Sequence, residues 1–161
     1  MMEYPINLDA LKKSVEYYNE VIKMNERASV YLSGFDWCKQ IRCSSLYMNL
    51  GSTLCIFLFE IENSASGEDN FLWLMVGDLP SMYLDVYGSK STKEVLHRYA
   101  ALAKDWIANV ESGLSVDDCY PFDAAATREM ADLLKKRVNL IEKSIIPNVD
   151  AIELPPSLMA L

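Results

Sequence analysis

The sequence predicts a single α+β domain in which three helices cover an antiparallel four-stranded meander, in the order α-β-β-β-β-α-α. Apolar residues alternate with a period of two through the middle of the chain, and turn-length links separate the alternating segments, as in an antiparallel sheet. Before and after this region the apolar spacing is three and four, which is typical of helices. The 161 residues are close to the usual size of one domain, so we expect residues 1–161 to form one globular unit.

The first predicted helix covers residues 7–34. Asn7 is a suitable N-cap, and Gly34 is a natural residue just after a helix end. One apolar stripe runs along this helix and consists of Leu8, Leu11, Val15, Tyr18 and Ile22. The spacing predicts that the helix buries this stripe in the core of the domain.

The four strands are expected at residues 41–48, 53–61, 71–76 and 82–87. The second of them is apolar on both faces, which predicts an internal strand with a neighbour on each side. Polar or turn-forming residues lie between the strands, at 49–52, 62–70 and 77–81. The last strand alternates apolar with polar residues, as a half-exposed strand does.

Two more helices and a tail complete the predicted fold. Ser91 and Glu94 have capping-box spacing at the start of the second helix, which ends at Gly113. Asp123 is expected to cap the third helix, and Pro147 terminates it. Residues 148–161 form an apolar, proline-containing C-terminal tail, for which three arrangements stay open. The tail packs across the domain, docks on a partner or remains loose.

The formal net charge is −8, and this charge restricts the classes of partner. Phosphate backbones and anionic membranes repel a negative surface, so we expect neither a nucleic acid nor a membrane as partner. A basic protein is the partner that the charge favours, although negative charge also serves solubility alone. Self-association into a homo-oligomer remains open.

The N-terminal sequence MMEYPINLDALKK lacks the basic and apolar regions of a signal peptide. The longest apolar run, at residues 54–59, is far shorter than the roughly 20 residues that span a bilayer. We therefore expect a cytoplasmic protein. In that compartment the four cysteines, Cys38, Cys43, Cys55 and Cys119, should be reduced thiols.

The residue types that carry chemistry do not form a complete motif. His97 is the only histidine, which excludes a two-histidine metal centre, and an exposed helix residue is the simpler interpretation. The cysteines show no C-x-x-C pairing, so we expect neither a disulfide nor a zinc ion. Other candidates for a metal or an acid–base pair are carboxylates that loops and helix caps explain equally well, namely Asp78, Asp85, Asp117, Asp118 and Asp123. We assign no catalytic, cofactor-binding or metal-binding residue.

The segment at residues 88–92, with the sequence GSKST, joins the last strand to the second helix. It resembles the end of a phosphate-binding loop, and a helix N-terminus attracts anions. However, the first glycine of that motif is absent, and one residue separates Gly88 from Lys90 where the motif has them adjacent. A helix cap explains the segment, and anion binding stays open.

Tyrosines beside carboxylates indicate a candidate interface on the last strand. A period of two puts Tyr83, Asp85 and Tyr87 on one face, and Asp78 lies in the preceding turn. Such residues are common in protein interfaces, and a strand that ends a meander lies at a sheet edge. The alternative is that a helix covers this face. Other tyrosines have the same two interpretations, interface or core edge, and they are Tyr4, Tyr17, Tyr18, Tyr31 and Tyr120.

Two stretches resemble a group of known proteins. The first is Trp73-Leu74-x-x-Gly77-Asp78-Leu79-Pro80-Ser81-x-Tyr83, and the second is Leu96-x-x-Tyr99-x-x-Leu102-x-x-Asp105-Trp106-Ile107-x-x-Val110-x-x-Gly113-x-Ser115. Together they resemble small uncharacterised bacterial α+β proteins, some of which are similar to immunity proteins of toxin–antitoxin loci. The resemblance covers about residues 71–145. It implies a protein partner and no catalytic residues, and it gives no role to an individual residue.

These observations favour a non-enzymatic protein-binding module that uses an acidic, tyrosine-bearing face, and the resemblance implies the immunity type. One alternative is a small-molecule enzyme or ligand-binding domain with a pocket between the sheet and the helices. The other is a structural homo-oligomer. A binding module should present an aromatic and acidic surface, whereas an enzyme should bring titratable groups together in a pocket.

Overall fold

A computed structural model describes residues 3–11, 18–65 and 70–161, with the backbone alone at Tyr18. The elements in chain order are β1 (Ile6–Asn7), α1 (Leu8–Leu11), α2 (Tyr18–Ser33), β2 (Cys38–Asn49), β3 (Leu54–Asn63), β4 (Phe71–Gly77), β5 (Leu79–Asp85), α3 (Thr92–Glu111), α4 (Arg128–Leu140) and α5 (Pro156–Met159). A π-helical turn (Ile141–Ile145) and a 3₁₀ turn (Ile146–Asn148) extend α4. None of the described helices is long and apolar enough to cross a membrane.

The strands form one antiparallel sheet in the order β1-β2-β3-β4-β5, so each strand pairs with its neighbours in the chain. The α+β class and the meander are therefore confirmed, and β3 is internal as its two apolar faces predicted. Within the described residues the sheet has five strands and not four, because Ile6 and Asn7 pair with Leu46 and Ser45 of β2, and the helices are more numerous than the predicted three. A strand of two residues is too short to show a period, which is why the sequence did not predict it.

Helices lie on both faces of the sheet, and each face has its own core. On one face Leu74 and Phe57 pack with residues of α1 and α2. On the other face Trp73 and Leu58 pack with α3, α4 and the C-terminal tail. Alternate residues of β3 and β4 point to opposite layers, which explains why residues 54–59 of β3 and 71–76 of β4 are apolar on both faces.

The N-terminal region differs from the single helix predicted over residues 7–34, because the structure describes two helices, α1 and α2, and residues 12–17 lie outside the described residues. Asn7 does cap α1, since its side-chain oxygen accepts the backbone N–H of Asp9 at 2.8 Å. In the predicted stripe Leu8 and Leu11 are buried, and Ile22 is half-buried and packs against the same core. The fully buried face of α2 consists of residues that the stripe did not include, namely Val21, Met24, Ala28 and Leu32. Val15 and the Tyr18 side chain lie outside the described residues.

The last two long helices begin where side chains cap them. Ser91 and Glu94 form the predicted capping box of α3, since the Ser91 hydroxyl accepts the Glu94 N–H and the Glu94 carboxylate accepts the Lys90 N–H. The predicted start of the third helix at Asp123 is wrong, because Thr127 caps α4 instead. The chain before Thr127 runs irregularly and buries Phe122 in the core.

The C-terminal tail packs across the domain, which was one of its three expected arrangements. Its backbone pairs with residues 90–92 through the Thr92 N–H to the Ile152 carbonyl at 3.0 Å and the Leu154 N–H to the Lys90 carbonyl at 2.9 Å. Leu154 and Leu158 are buried in the core on the α3 side. The tail therefore completes one layer of the domain.

The turn between β4 and β5 is tighter than the predicted 77–81, because β5 already begins at Leu79. A β-carbon on Gly77 would overlap the Thr53 carbonyl, so only glycine allows this approach of the two backbones. Arginines hold the turn from both layers. Arg27 of α2 donates to the Gly77 carbonyl at 2.9 Å, and Arg137 of α4 donates to the Asp78 carbonyl at 2.7 Å and pairs with its carboxylate.

Candidate functional site

The structure brings together two of the four residues predicted as an interface. Tyr83 and Asp85 line one cleft at the edge of the sheet. Asp78 lies at the opposite end of β5, where it pairs with Arg137. Tyr87 follows the strand and is exposed, with the Lys90 ammonium 5.9 Å from its ring centre. The four side chains therefore do not share one face, and their contact with a partner stays a prediction.

Tyr83 is the centre of an aromatic cluster that covers this part of β5. Its ring centre lies 5.1 Å from that of Phe35, 5.2 Å from that of Trp37 and 6.5 Å from that of Tyr31. Phe35 and Trp37 stack at 5.0 Å between the end of α2 and the start of β2. Edge-to-face and stacked contacts of this kind hold large side chains in fixed orientations.

Tyr120 forms hydrogen bonds with the backbone at the outer edge of β5. Its hydroxyl donates to the Tyr83 carbonyl at 2.9 Å and accepts the Tyr83 N–H at 3.1 Å. One side chain thus satisfies both outward backbone groups of an edge-strand residue, as a neighbouring strand would do. Burial raises the pKa of the Tyr120 hydroxyl, so it remains a donor at neutral pH.

The cleft beside this cluster has a volume of about 370 Å³. Its aromatic walls are Trp37, Tyr83 and Tyr120. The other residues that line it are Asn63, Ala65, Leu72, Leu84, Asp85, Arg98 and Leu102. The walls come from α3 and from both sides of the β5 edge, and they combine an apolar surface with a few polar groups, as binding sites commonly do.

The two charged groups of the cleft are held differently. The Asp85 carboxylate accepts the Gly88 N–H at 2.8 Å, which fixes one of its oxygens. The half-buried Arg98 makes no hydrogen bond or ion pair with the residues that the structure describes. A β-carbon on Gly88 would overlap Arg98 Nη1, so the guanidinium lies directly against the Gly88 backbone.

The other sequence candidates lie outside this cleft. His97 is exposed on α3 and does not line it. At residues 88–92 the Lys90 N–H donates to the Glu94 carboxylate, and the Thr92 N–H donates to the Ile152 carbonyl of the C-terminal tail. The buried Ser89 hydroxyl has no partner in the described part of the chain. Among described residues, no group of three or more His, Cys, Asp or Glu side chains has metal-site geometry.

The four thiols are free, and all of them have a raised pKa. Burial is the main cause at Cys38, Cys43 and Cys119, and it raises the pKa of Cys55 to about 12. A raised pKa keeps a thiol protonated and therefore weakly nucleophilic at neutral pH.

A larger groove of about 710 Å³ lies between α3 and α4, on the outside of the domain. Ion pairs cross it, with Lys104 and Glu142 at 2.6 Å and Lys135 and Glu111 at 3.4 Å. Four of its charged groups are therefore already paired across the groove, in contrast to Arg98 in the smaller cleft.

Comparison with protein-family models, with curated proteins and with solved structures found no match. The cleft must therefore be interpreted from its own chemistry. Sequence reasoning found Tyr83 and Asp85 but did not assign Trp37, Arg98 or Tyr120 to a common site. These three residues belong to separate segments, and only the folded sheet edge brings them together.

Proposed function

We propose that this chain is a non-enzymatic protein-binding module and that the cleft at the β5 edge receives an anchor side chain of its partner. The observation that carries this proposal is the combination of Trp37, Tyr83, Tyr120 and Arg98 around one concave site. Tryptophan, tyrosine and arginine are the residues that contribute most often to the energetic centre of protein interfaces.

The titratable groups support binding more than catalysis. A nucleophile or general base is usually activated by a lowered pKa or by an adjacent base. Burial raises the pKa of the Tyr120 hydroxyl in the cleft, which favours its neutral form. This change favours hydrogen bonding over proton abstraction.

The net charge of −8 supports a narrower form of the proposal, in which the partner is a basic protein. A negative surface accelerates the encounter with a positive partner, and short-range contacts in the cleft then determine affinity. The resemblance to immunity-type proteins agrees with this form. An immunity-type protein would use such a surface to neutralise a basic toxin.

Small-molecule binding is the second candidate, because a cleft of about 370 Å³ lies within the range of ligand pockets. Selection from a displayed library of random peptides separates the two candidates.

Binding in the cleft can be followed by tryptophan fluorescence. Trp37 is half-buried while Trp73 and Trp106 are buried, so a ligand that protects tryptophan fluorescence from quenching by acrylamide occupies the cleft.

We expect selected peptides to lose at least about tenfold in affinity for a Trp37→Ala variant, as for a residue at an interface centre. Leu114→Ala is the control, because this apolar residue is exposed and does not line the cleft. Its affinity should be unchanged. Peptides that bind Trp37→Ala as tightly as the unchanged protein would contradict the proposal.

A further inference from the structure

We infer that the cleft recognises a carboxylate next to an apolar group, and that its ligand is the C-terminal residue of a partner polypeptide. This inference rests on the proposed function and adds the chemistry of the anchor. The guanidinium of Arg98 would bind the carboxylate, while Trp37 and Tyr83 would contact the side chain of the same residue.

The unpaired state of Arg98 is the first reason. A half-buried guanidinium has lost part of its hydration, and protein groups normally compensate this loss. The half-buried Arg137 follows that rule, because it donates to the Asp78 carbonyl of the β4–β5 turn. Arg98 has no such acceptor among the residues that the structure describes. Its donors remain available to a ligand.

Gly88 is the second reason. This glycine does not have a positive φ, so its backbone conformation does not require glycine. A β-carbon at this position would nevertheless overlap Arg98 Nη1. The absent side chain thus provides the space in which the guanidinium lies, while the Gly88 N–H fixes the neighbouring Asp85 carboxylate. One residue orients both charges of the cleft.

The charge of the cleft selects a carboxylate over a phosphate. Arg98 supplies one positive charge, and Asp85 supplies one negative charge to the same cleft. A dianionic phosphate would meet repulsion from Asp85 and from the negative chain as a whole. A carboxylate carries a single charge, and its two oxygens match the planar fork of a guanidinium.

The aromatic walls select the position of that carboxylate in a polypeptide. Trp37 and Tyr83, with ring centres 5.2 Å apart, provide an apolar surface in the same cleft as Arg98. Aspartate and glutamate have a carboxylate but no apolar group beyond it. Only the C-terminal residue of a chain carries an apolar side chain and a carboxylate on one α-carbon.

Calorimetric titration of the full chain with two short peptides tests this inference. Both peptides are acetylated at the N-terminus and end in phenylalanine, one with a free carboxylate and the other with an amide. We expect the free acid to bind the unchanged protein at least about tenfold more tightly, because an ionic hydrogen bond contributes that much or more. In Arg98→Gln this preference should disappear.

Two further variants make the test specific. Gly88→Ala should reduce the preference for the free acid without altering a ligand-contacting side chain. Arg128→Gln is the control, because Arg128 is exposed on α4 and lies outside the cleft lining, and it should preserve the preference. Thermal unfolding of each variant verifies that it folds.

The possible failures are distinguishable. If both peptides bind equally and binding still depends on Trp37, the inference is wrong while the protein-binding function stands. If neither peptide shows binding that depends on Arg98, the inference is also wrong. If 3-phenylpropionate binds as tightly as the peptide acid, the site is selective for a small carboxylate, which would overturn the assignment to a polypeptide C-terminus.

Discussion

The two ends of β5 use arginine in opposite ways. At the turn before the strand, Arg27 and Arg137 each donate to a backbone carbonyl, and the Arg137 guanidinium also pairs with Asp78. At the other end, Arg98 lies against Gly88 without a partner in the described part of the protein. All three arginines adjoin the same edge strand, yet only the first two have a visible role in the folded chain.

This difference separates residues that stabilise the fold from residues that are available for binding. At the turn, glycine is required by the backbone, because Gly77 approaches the Thr53 carbonyl closely and has a φ of 153°. At Gly88, a β-carbon would overlap only the guanidinium end of the Arg98 side chain, which can move aside more easily than backbone. Substitutions at the turn should therefore change stability, whereas substitutions at the cleft should change recognition.

Gly77→Ala should give the largest effect. The new β-carbon would overlap the Thr53 carbonyl and would also take an unfavourable φ, so we expect a loss of about 3–4 kcal/mol in the free energy of unfolding. Gly113→Ala is the matched control, because Gly113 also has a positive φ but no atom within 4 Å of the added carbon. It should cost only about 1 kcal/mol in denaturant unfolding. Equal costs would contradict the role of close approach at Gly77.

Arg137→Gln should have the second-largest effect, a loss of about 1–2 kcal/mol. The substitution removes a charge-assisted bond to the Asp78 carbonyl and the ion pair with its carboxylate, both of which are partly exposed. Urea unfolding measures the change. Arg128→Gln is a suitable control, since its ion pair with Asp132 is exposed and within one helix. If Arg128→Gln lowers the free energy of unfolding as much as Arg137→Gln does, the contacts of Arg137 with the turn do not contribute specifically to stability.

Tyr120→Phe should cost about 1 kcal/mol, because it removes both hydrogen bonds to the Tyr83 backbone but retains the ring. It also leaves the β5 edge open to another strand, so we expect more self-association at high concentration. Unfolding and sedimentation measurements test the two effects. An unchanged free energy of unfolding would show that water replaces the hydroxyl without loss.

The cleft end should also make the protein sensitive to alkaline pH. Burial raises the pKa of Tyr31 and of Tyr120 above the ordinary value near 10. Below about pH 10 both tyrosines are protonated in the folded and in the unfolded chain, so the free energy of unfolding does not change with their ionisation. As the pH rises above about 10, the unfolded tyrosines ionise first, so the free energy of unfolding falls by up to about 1.4 kcal/mol per pH unit for each group.

Tyr31→Phe and Tyr120→Phe should each reduce the fall in the free energy of unfolding per pH unit. Arg137→Gln should leave this slope unchanged. Denaturant titrations between pH 9.5 and pH 11 measure the slope. If the slope is the same in all three variants, Tyr31 and Tyr120 do not cause the loss of stability at alkaline pH.

The parts of the fold that were predictable depend on local signals. The capping box at Ser91 and Glu94 and the two apolar faces of β3 are properties of short segments, and both predictions were correct. The helix starting at Asp123 was wrong because Phe122 is buried by tertiary packing, which keeps the preceding chain irregular. Propensity and capping patterns cannot anticipate such a tertiary effect.

The candidate site was less predictable than the fold. Alternation along β5 indicated Tyr83 and Asp85, but it could not indicate that Trp37 and Tyr120 would cover the former. Arg98 gave no signal, because an arginine on a helix is normally exposed or paired. Its significance depends on a distance to Gly88 and on the absence of a partner among the described residues, and neither is visible in a sequence.

The central claim is that Arg98 serves recognition and not stability. The most direct measurement is the free energy of unfolding of Arg98→Gln together with its affinity for the free-acid peptide. We predict that stability changes by less than about 0.5 kcal/mol, as for an ordinary surface residue, while affinity falls at least about tenfold. A loss of stability comparable to that of Arg137→Gln, with affinity unchanged, would contradict the claim.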